Sequence, residues 1–98
     1  MGNPGWKKYE RRIARDLGGR RVGILGSEDI EHPIYSIEAK LLKSLPKWLT
    51  GLWKQTQGNC PKGKIPFACV KEKNRNDDNA FVILRYIDFK NLINGGKT

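Results

Sequence analysis

Glu38 and Lys40 stand two residues apart in Ile37-Glu38-Ala39-Lys40-Leu41, and Asp29 lies nine positions before Glu38. Side chains of an extended segment alternate between two faces, so Ile34, Ser36, Glu38 and Lys40 point one way and Tyr35, Ile37, Ala39 and Leu41 the other. Proline at 33 fixes φ and withholds a donor, which makes Glu31-His32-Pro33 a turn. A hairpin through that turn carries Asp29 back beside Glu38 and Lys40. Two carboxylates and an ammonium on one patch suit a phosphodiesterase that works with a divalent cation. Hard cations take oxygen ligands, and Mg²⁺ is usually held by one or two carboxylates plus a substrate phosphate. Such an ion activates water and offsets charge on the attacking and leaving oxygens. The same alternation also describes a strand whose charged face only meets solvent.

The elements that must position these residues follow from periodicity. Trp6, Tyr9, Ile13, Ala14 and Leu17 recur at helical spacing and predict a helix over residues 4–17, with Asn3 as N-cap and Pro4 in its first turn. Gly18-Gly19 stops it. Glu10 lies between Trp6 and Ala14 on the i, i+4 ladder and so leans inward, where an acid needs a partner or a function. The helix dipole also favours an acid in the N-terminal half. Residues 20–25 read as a strand, and Gly26-Ser27 turns the chain into the hairpin. A second helix begins around Ser44-Leu45-Pro46, with Ser44 as a cap, and ends at Gly58. Leu45, Leu49, Leu52, Trp53 and Thr56 form its apolar face, with Trp48 outside the stripe. Gly51 weakens this helix and implies close packing or a kink. Residues 65–71 read as a buried strand enclosing Cys69, 72–79 as a polar hairpin tip, 80–86 as the last strand and 87–93 as a short helix. The order α-β-β-β-α-β-β-α predicts an α/β fold with a central mixed sheet flanked by helices. One domain over residues 1–98 is expected, with flexible ends at 1–5 and 94–98.

Charge names the partner class. The chain has 98 residues, 19 Lys and Arg against 10 Asp and Glu, and a net charge of +9. A small, strongly basic domain most often meets a polyanion, and nucleic acid is the default. No apolar run approaches the roughly 20 residues needed to span a bilayer, so no membrane partner is expected. The opening residues lack the apolar stretch of a signal peptide, so a cytoplasmic location is expected. Cys60 and Cys69 match neither a zinc-site spacing nor a disulfide framework, and Cys60 reads as a loop thiol. His32, the single histidine, falls in the turn. A histidine-ligated metal or a Ser-His-Asp triad therefore has no support.

Taken together, a glutamate on the first helix (Tyr9-Glu10-Arg11-Arg12), Gly26-Ser27 before Asp29, the Ile37-Glu38-Ala39-Lys40 strand and the segment Ile65-Pro66-Phe67-Ala68-Cys69-Val70-Lys71 resemble the PD-(D/E)XK nuclease superfamily. Within it, the chain looks most like small archaeal-type Holliday-junction resolvases and their phage-encoded relatives, over about residues 7–89. The resemblance implies a restriction-endonuclease-like core and a site that uses Mg²⁺, with Mn²⁺ as a substitute. Asp29 and Glu38 would ligate the metal directly, Glu10 through water or a second ion, and Lys40 would position the attacking water or stabilise the phosphorane. Ser27 matches a family serine near the scissile strand, and Gln55 a glutamine on the helix after the E-x-K strand. Two features depart from the pattern. Glu28 replaces the proline before Asp29, and the short gap from Asp29 to Glu38 makes Glu31 a competing carboxylate.

Lys7, Lys8, Arg11, Arg12, Arg20 and Arg21 cluster near the expected site, and Lys71 extends the basic face with Lys43, Lys47, Lys73 and Arg75. These groups would hold phosphates without reading sequence, though some serve only to keep the surface soluble. The family's substrate is a four-way junction or other branched DNA, cut by paired symmetric nicks that leave 5′-phosphate and 3′-hydroxyl ends. A two-fold homodimer would supply two sites at fixed separation, and Trp48, Trp53, Phe67 and Phe89 are candidates for its contact. Two other expectations remain open: a phage nuclease of the same superfamily acting on flaps, nicks or linear DNA, and a non-catalytic basic nucleic-acid binder.

Overall fold

Helix α1 (Gly5–Leu17) is the first element of the computed structural model, which describes residues 5–22 and 29–95. Its architecture is mixed α/β, with three helices and two small antiparallel sheets among the described residues. The element order is the expected α-β-β-β-α-β-β-α. The chain divides into two compact units, Met1–Lys43 and Ser44–Thr98.

In the first unit, α1 turns Glu10, Ile13, Ala14 and Leu17 inward, the stripe that the 3.6-residue spacing predicts. They pack toward strands β1 (Arg20–Arg21) and β2 (Ile30–Glu31). Gly18 ends the helix in the left-handed region at φ +75°, and the Gly19 N–H donates to the Ala14 carbonyl at 2.8 Å, a glycine-dependent six-to-one closure. Gly19 has a second constraint. A Cβ there would lie 2.7 Å from the Glu31 carbonyl oxygen and 2.8 Å from Ile30 Cγ2, so only glycine lets the chain pass β2 this closely.

Strand β2 lies between β1 and β3 (Ser36–Ile37), all antiparallel. Arg20 faces Glu31 and Arg21 faces Ile30 across the first pair; Ile30 faces Ile37 and Glu31 faces Ser36 across the second. Ile30 is fully buried at the centre, a burial that contributes about 2–3 kcal/mol. The turn joining β2 to β3 is organised by His32, whose Nδ1 accepts from the Ile34 N–H (3.0 Å) and the Tyr35 N–H (3.2 Å). Its ring sits 5.0 Å from that of Tyr35. The histidine thus serves the hairpin itself. Past β3 the alternation persists: Ile37 and Ala39 are half-buried, while Ser36, Glu38 and Lys40 are exposed.

In the second unit, helix α2 (Lys47–Gly58) starts behind Pro46. Pro46 occupies the N-cap position, no side chain caps the helix, and the Pro46 carbonyl accepts from the Leu49 and Thr50 N–H groups at 3.0 and 3.1 Å. The start falls at the end of the expected Ser44-Leu45-Pro46 stretch, and the cap expected at Ser44 is corrected. A residue preceding proline is driven out of the helical region, which bars Leu45 from the first turn. The close packing expected at Gly51 is absent: α2 runs through it unbroken, and a Cβ there would meet nothing within 4 Å.

Strands β4 (Ala68–Val70) and β5 (Phe81–Ile83) pair antiparallel, with Ala68 opposite Ile83, Cys69 opposite Val82 and Val70 opposite Phe81. Helix α2 packs toward β4. Ala68 and Val70 are half-buried, and Cys69, expected inside, is exposed. The reason is the pleat: Cys69 points to the opposite face from its two neighbours. Ile65 and Phe67, also expected in a buried strand, precede β4 and are exposed. Between the strands, Asn74 takes φ +70° and the Asn76 side chain accepts from the Asp78 N–H at 2.9 Å, opening a short 3₁₀ turn over Asp77–Asn79. Helix α3 (Tyr86–Ile93) closes with the Asn94 N–H on the Lys90 carbonyl at 3.0 Å and Gly95 at φ +97°. Strand pairing thus yields a three-stranded and a two-stranded antiparallel sheet where one mixed sheet was expected. Strand β2 pairs with β3 across the turn at residues 32–35, and β4 with β5 across residues 71–80.

Candidate metal and nucleic-acid site

The hairpin register decides which acids meet. Continued one step beyond Ile30–Ile37, it sets Asp29 across from Glu38, and directly opposed residues share one face of the sheet. The Val22 N–H donates to the Asp29 carbonyl at 3.1 Å, tying Asp29 to the continuation of β1. The Ala39 N–H donates to Asp29 Oδ2 at 2.8 Å. One oxygen of that carboxylate is thereby committed to the backbone between Glu38 and Lys40, which fixes the side chain beside both.

Glu10 reaches the same place from α1. A concavity of about 330 Å³ is lined by Trp6, Glu10, Asp29, Glu38, Ala39, Lys40 and Leu41. All four residues singled out by type and spacing, namely Glu10, Asp29, Glu38 and Lys40, therefore line one hollow within the first unit, together with Ala39 and Leu41 from the alternate positions. Glu38 and Lys40 are exposed and carry no ion pair among the described residues. Glu10 is 9% exposed and its Oε1 accepts from Arg21 Nε at 2.7 Å. That pair supplies the partner an inward acid requires. The Arg21 guanidinium carbon also lies 5.7 Å from the centre of the Trp6 ring, and the Lys7 ammonium lies 5.4 Å from it, both within cation–π range.

Among the described residues, no three acidic, histidine or cysteine side chains stand close enough to hold an ion by themselves. The donor set is two carboxylates, Asp29 and Glu38, opposed in the continued register, with the third, Glu10, drawn onto Arg21. Two oxygen-donor side chains completed by water and a phosphate are what Mg²⁺ accepts, so the residues fit that ion. Glu31, the competing carboxylate, is engaged elsewhere: it bonds Arg20 Nη2 at 2.8 Å, directly across the β1–β2 ladder. Asp29 and not Glu31 lines the hollow.

The remaining candidates divide. Ser27 and Glu28 lie outside the described residues. Gln55 is exposed on α2, in the second unit. Lys71 bonds Asp77 Oδ1 at 2.6 Å, which draws its charge into the β4–β5 connection. On α1, Lys8, Arg11, Arg12 and Arg15 are exposed at spacings of three, one and three, forming one outward basic stripe. Arg12 and Arg15 both reach Asp16, at 3.3 and 3.8 Å. Lys7 leans on Trp6, while Arg20 and Arg21 are held by Glu31 and Glu10. Among the cations of α1, Lys8 and Arg11 carry no ion pair or ring contact among the described residues. Trp6 and Leu41 line the hollow without having been singled out. For Trp6 the signal was its place one helical turn before Glu10.

Among the described residues, no helix is long and apolar enough to cross a membrane. Comparison with protein-family models, with curated proteins and with solved structures finds no match to this chain.

Proposed function

We propose that the chain is a Mg²⁺-dependent, structure-selective DNA endonuclease of the PD-(D/E)XK kind, acting on four-way junctions by paired nicks. The observation that carries this reading is the single hollow shared by Glu10, Asp29, Glu38 and Lys40. The element order supports a restriction-endonuclease-like core. Asp29 and Glu38 hold the ion, which when bound supplies Lewis acidity toward water and phosphate. Lys40, two residues beyond Glu38 on the same face, orients the attacking water and offsets charge on the phosphorane. Asp29 is kept in place by the Ala39 N–H. Glu10 and Arg21 act as a pair, the guanidinium screening the acid from an approaching phosphate. Lys8 and Arg11 on the outward stripe of α1 hold the DNA backbone without reading its sequence. Exposed Trp48 and Phe67 support a homodimer, which would present two hollows to the two symmetric strands of a junction.

The test is cleavage of four-way, flap and linear DNA with Mg²⁺ or Mn²⁺, wild type beside Asp29→Asn and Glu38→Gln. Each variant loses at least about 10²-fold in cleavage rate while keeping or tightening DNA binding, since a negative charge facing phosphate is gone. Cuts on flaps or linear DNA but not on junctions would move the reading to another branch of nuclease chemistry. A second reading, a basic nucleic-acid binder without catalysis, is favoured by the Glu10–Arg21 and Glu31–Arg20 pairs, in which acids do no more than balance charge. Under it, Glu38→Ala leaves every measured property of the wild type unchanged.

A further inference from the structure

Trp6 is 47% exposed although it belongs to the helix stripe that turns inward farther along. Its indole forms part of the wall that also holds Glu10, Asp29, Glu38 and Lys40, and its ring centre is flanked by Lys7 Nζ at 5.4 Å and Arg21 Cζ at 5.7 Å. A half-exposed indole in a charged hollow adds little to a core. Its π-face beside Lys7 is instead the combination that binds an unstacked nucleotide: the ring takes the base and the Lys7 ammonium takes a neighbouring phosphate, while Arg21 stays paired with Glu10 at 2.7 Å. Lys7 is exchangeable in this role, because its ammonium leaving the ring face meets a phosphate oxygen.

We infer that Trp6 is a stacking platform for one unstacked base next to the phosphate presented to the acids, so that the preferred substrate is DNA with a disrupted base stack rather than intact duplex. The inference rests on the nucleic-acid reading above and refines it by naming what the hollow recognises. Every base has a π-face, so the platform selects for lost stacking and not for sequence. In a continuous duplex each base is already stacked, and engaging Trp6 would first cost the unstacking of that base.

The test uses the full chain in EDTA, so that cleavage does not intervene, with wild type, Trp6→Phe and Trp6→Ala. Affinities are measured for an intact duplex and for the same duplex with a single-stranded gap, and a 2-aminopurine in the gap reports stacking. Trp6→Ala weakens gapped-DNA binding by about tenfold and duplex binding by no more than about twofold. Wild type quenches the 2-aminopurine, Trp6→Ala does not, and Trp6→Phe retains most of both effects. Equal loss on both DNAs, or unchanged quenching in a folded Trp6→Ala protein, overturns the platform while leaving nucleic-acid binding intact. If wild type binds neither DNA, the nucleic-acid reading falls, and the platform falls with it.

Discussion

Residues 1–43 enclose Ile30 completely, whereas no residue of α2 or α3 in residues 44–98 is buried, and Trp48, Phe81 and Leu92 expose 61%, 74% and 65% of their surface. Strand number and cover account for the contrast. In the first unit β2 has a neighbour on each edge and α1 against one face, so its central residue loses all contact with solvent. In the second unit β4 and β5 are both edges, and a two-stranded sheet has no interior strand to bury. The hollow that gathers the acids belongs to the first unit. Precise placement of side chains depends on a frame whose own rotamers are held by packing.

The sharpest way to break this comparison is to remove the same apolar bulk from each unit. Ile30→Ala is expected to cost about 2–5 kcal/mol, because a filled site becomes a cavity. Leu92→Ala is expected to stay within about 0.5 kcal/mol, because its side chain is already in solvent. Urea denaturation of both variants reads the difference, and equal shifts in midpoint would erase the distinction between the units. The same contrast holds for ion pairs, at smaller scale. Arg21→Ala leaves Glu10 buried without its donor and should cost about 1–3 kcal/mol, with Glu10→Gln in the same chain recovering part of the loss. Arg75→Ala removes an exposed pair with Glu72 at 3.1 Å and should cost no more than about 0.5 kcal/mol. A double-mutant cycle on each pair measures the two couplings directly. Smallest is a gain: Gly51→Ala, exposed in mid-helix with open space at its Cβ, should stabilise the second unit by about 0.5–1 kcal/mol in thermal melts.

Particular residues show how far the sequence could be read. The extent of α1 followed from its apolar spacing and the double glycine, and the inward lean of Glu10 from the i, i+4 ladder. That ladder could not name Arg21 as its partner, since the pair spans eleven residues and depends on where β1 crosses the helix. The convergence of Asp29 with Glu38 was legible because a proline turn and period-two alternation together fix a register. Cys69 was misassigned because alternation fixes which residues share a face and not which face is covered. The cap of α2 was misassigned because a capping serine was weighted above the steric effect of Pro46 on Leu45. In the second unit the paired strands are shorter than the apolar runs that announced them, Ala68–Val70 within 65–71 and Phe81–Ile83 within 80–86, while residues 23–25 of the expected first strand lie outside the described residues.

The ladder that sets Asp29 across from Glu38 is only two residue pairs long, closed by a link whose amides are gathered on a single imidazole nitrogen. A slip of one position would send Glu38 through to the covered side of the sheet and leave Asp29 without a counterpart. Insertions in that link are therefore tolerated only where the surplus residues bulge clear of the paired segment, and a deletion shifts the register itself. The length of this short loop is as much a part of the chemistry as the acids it brings together.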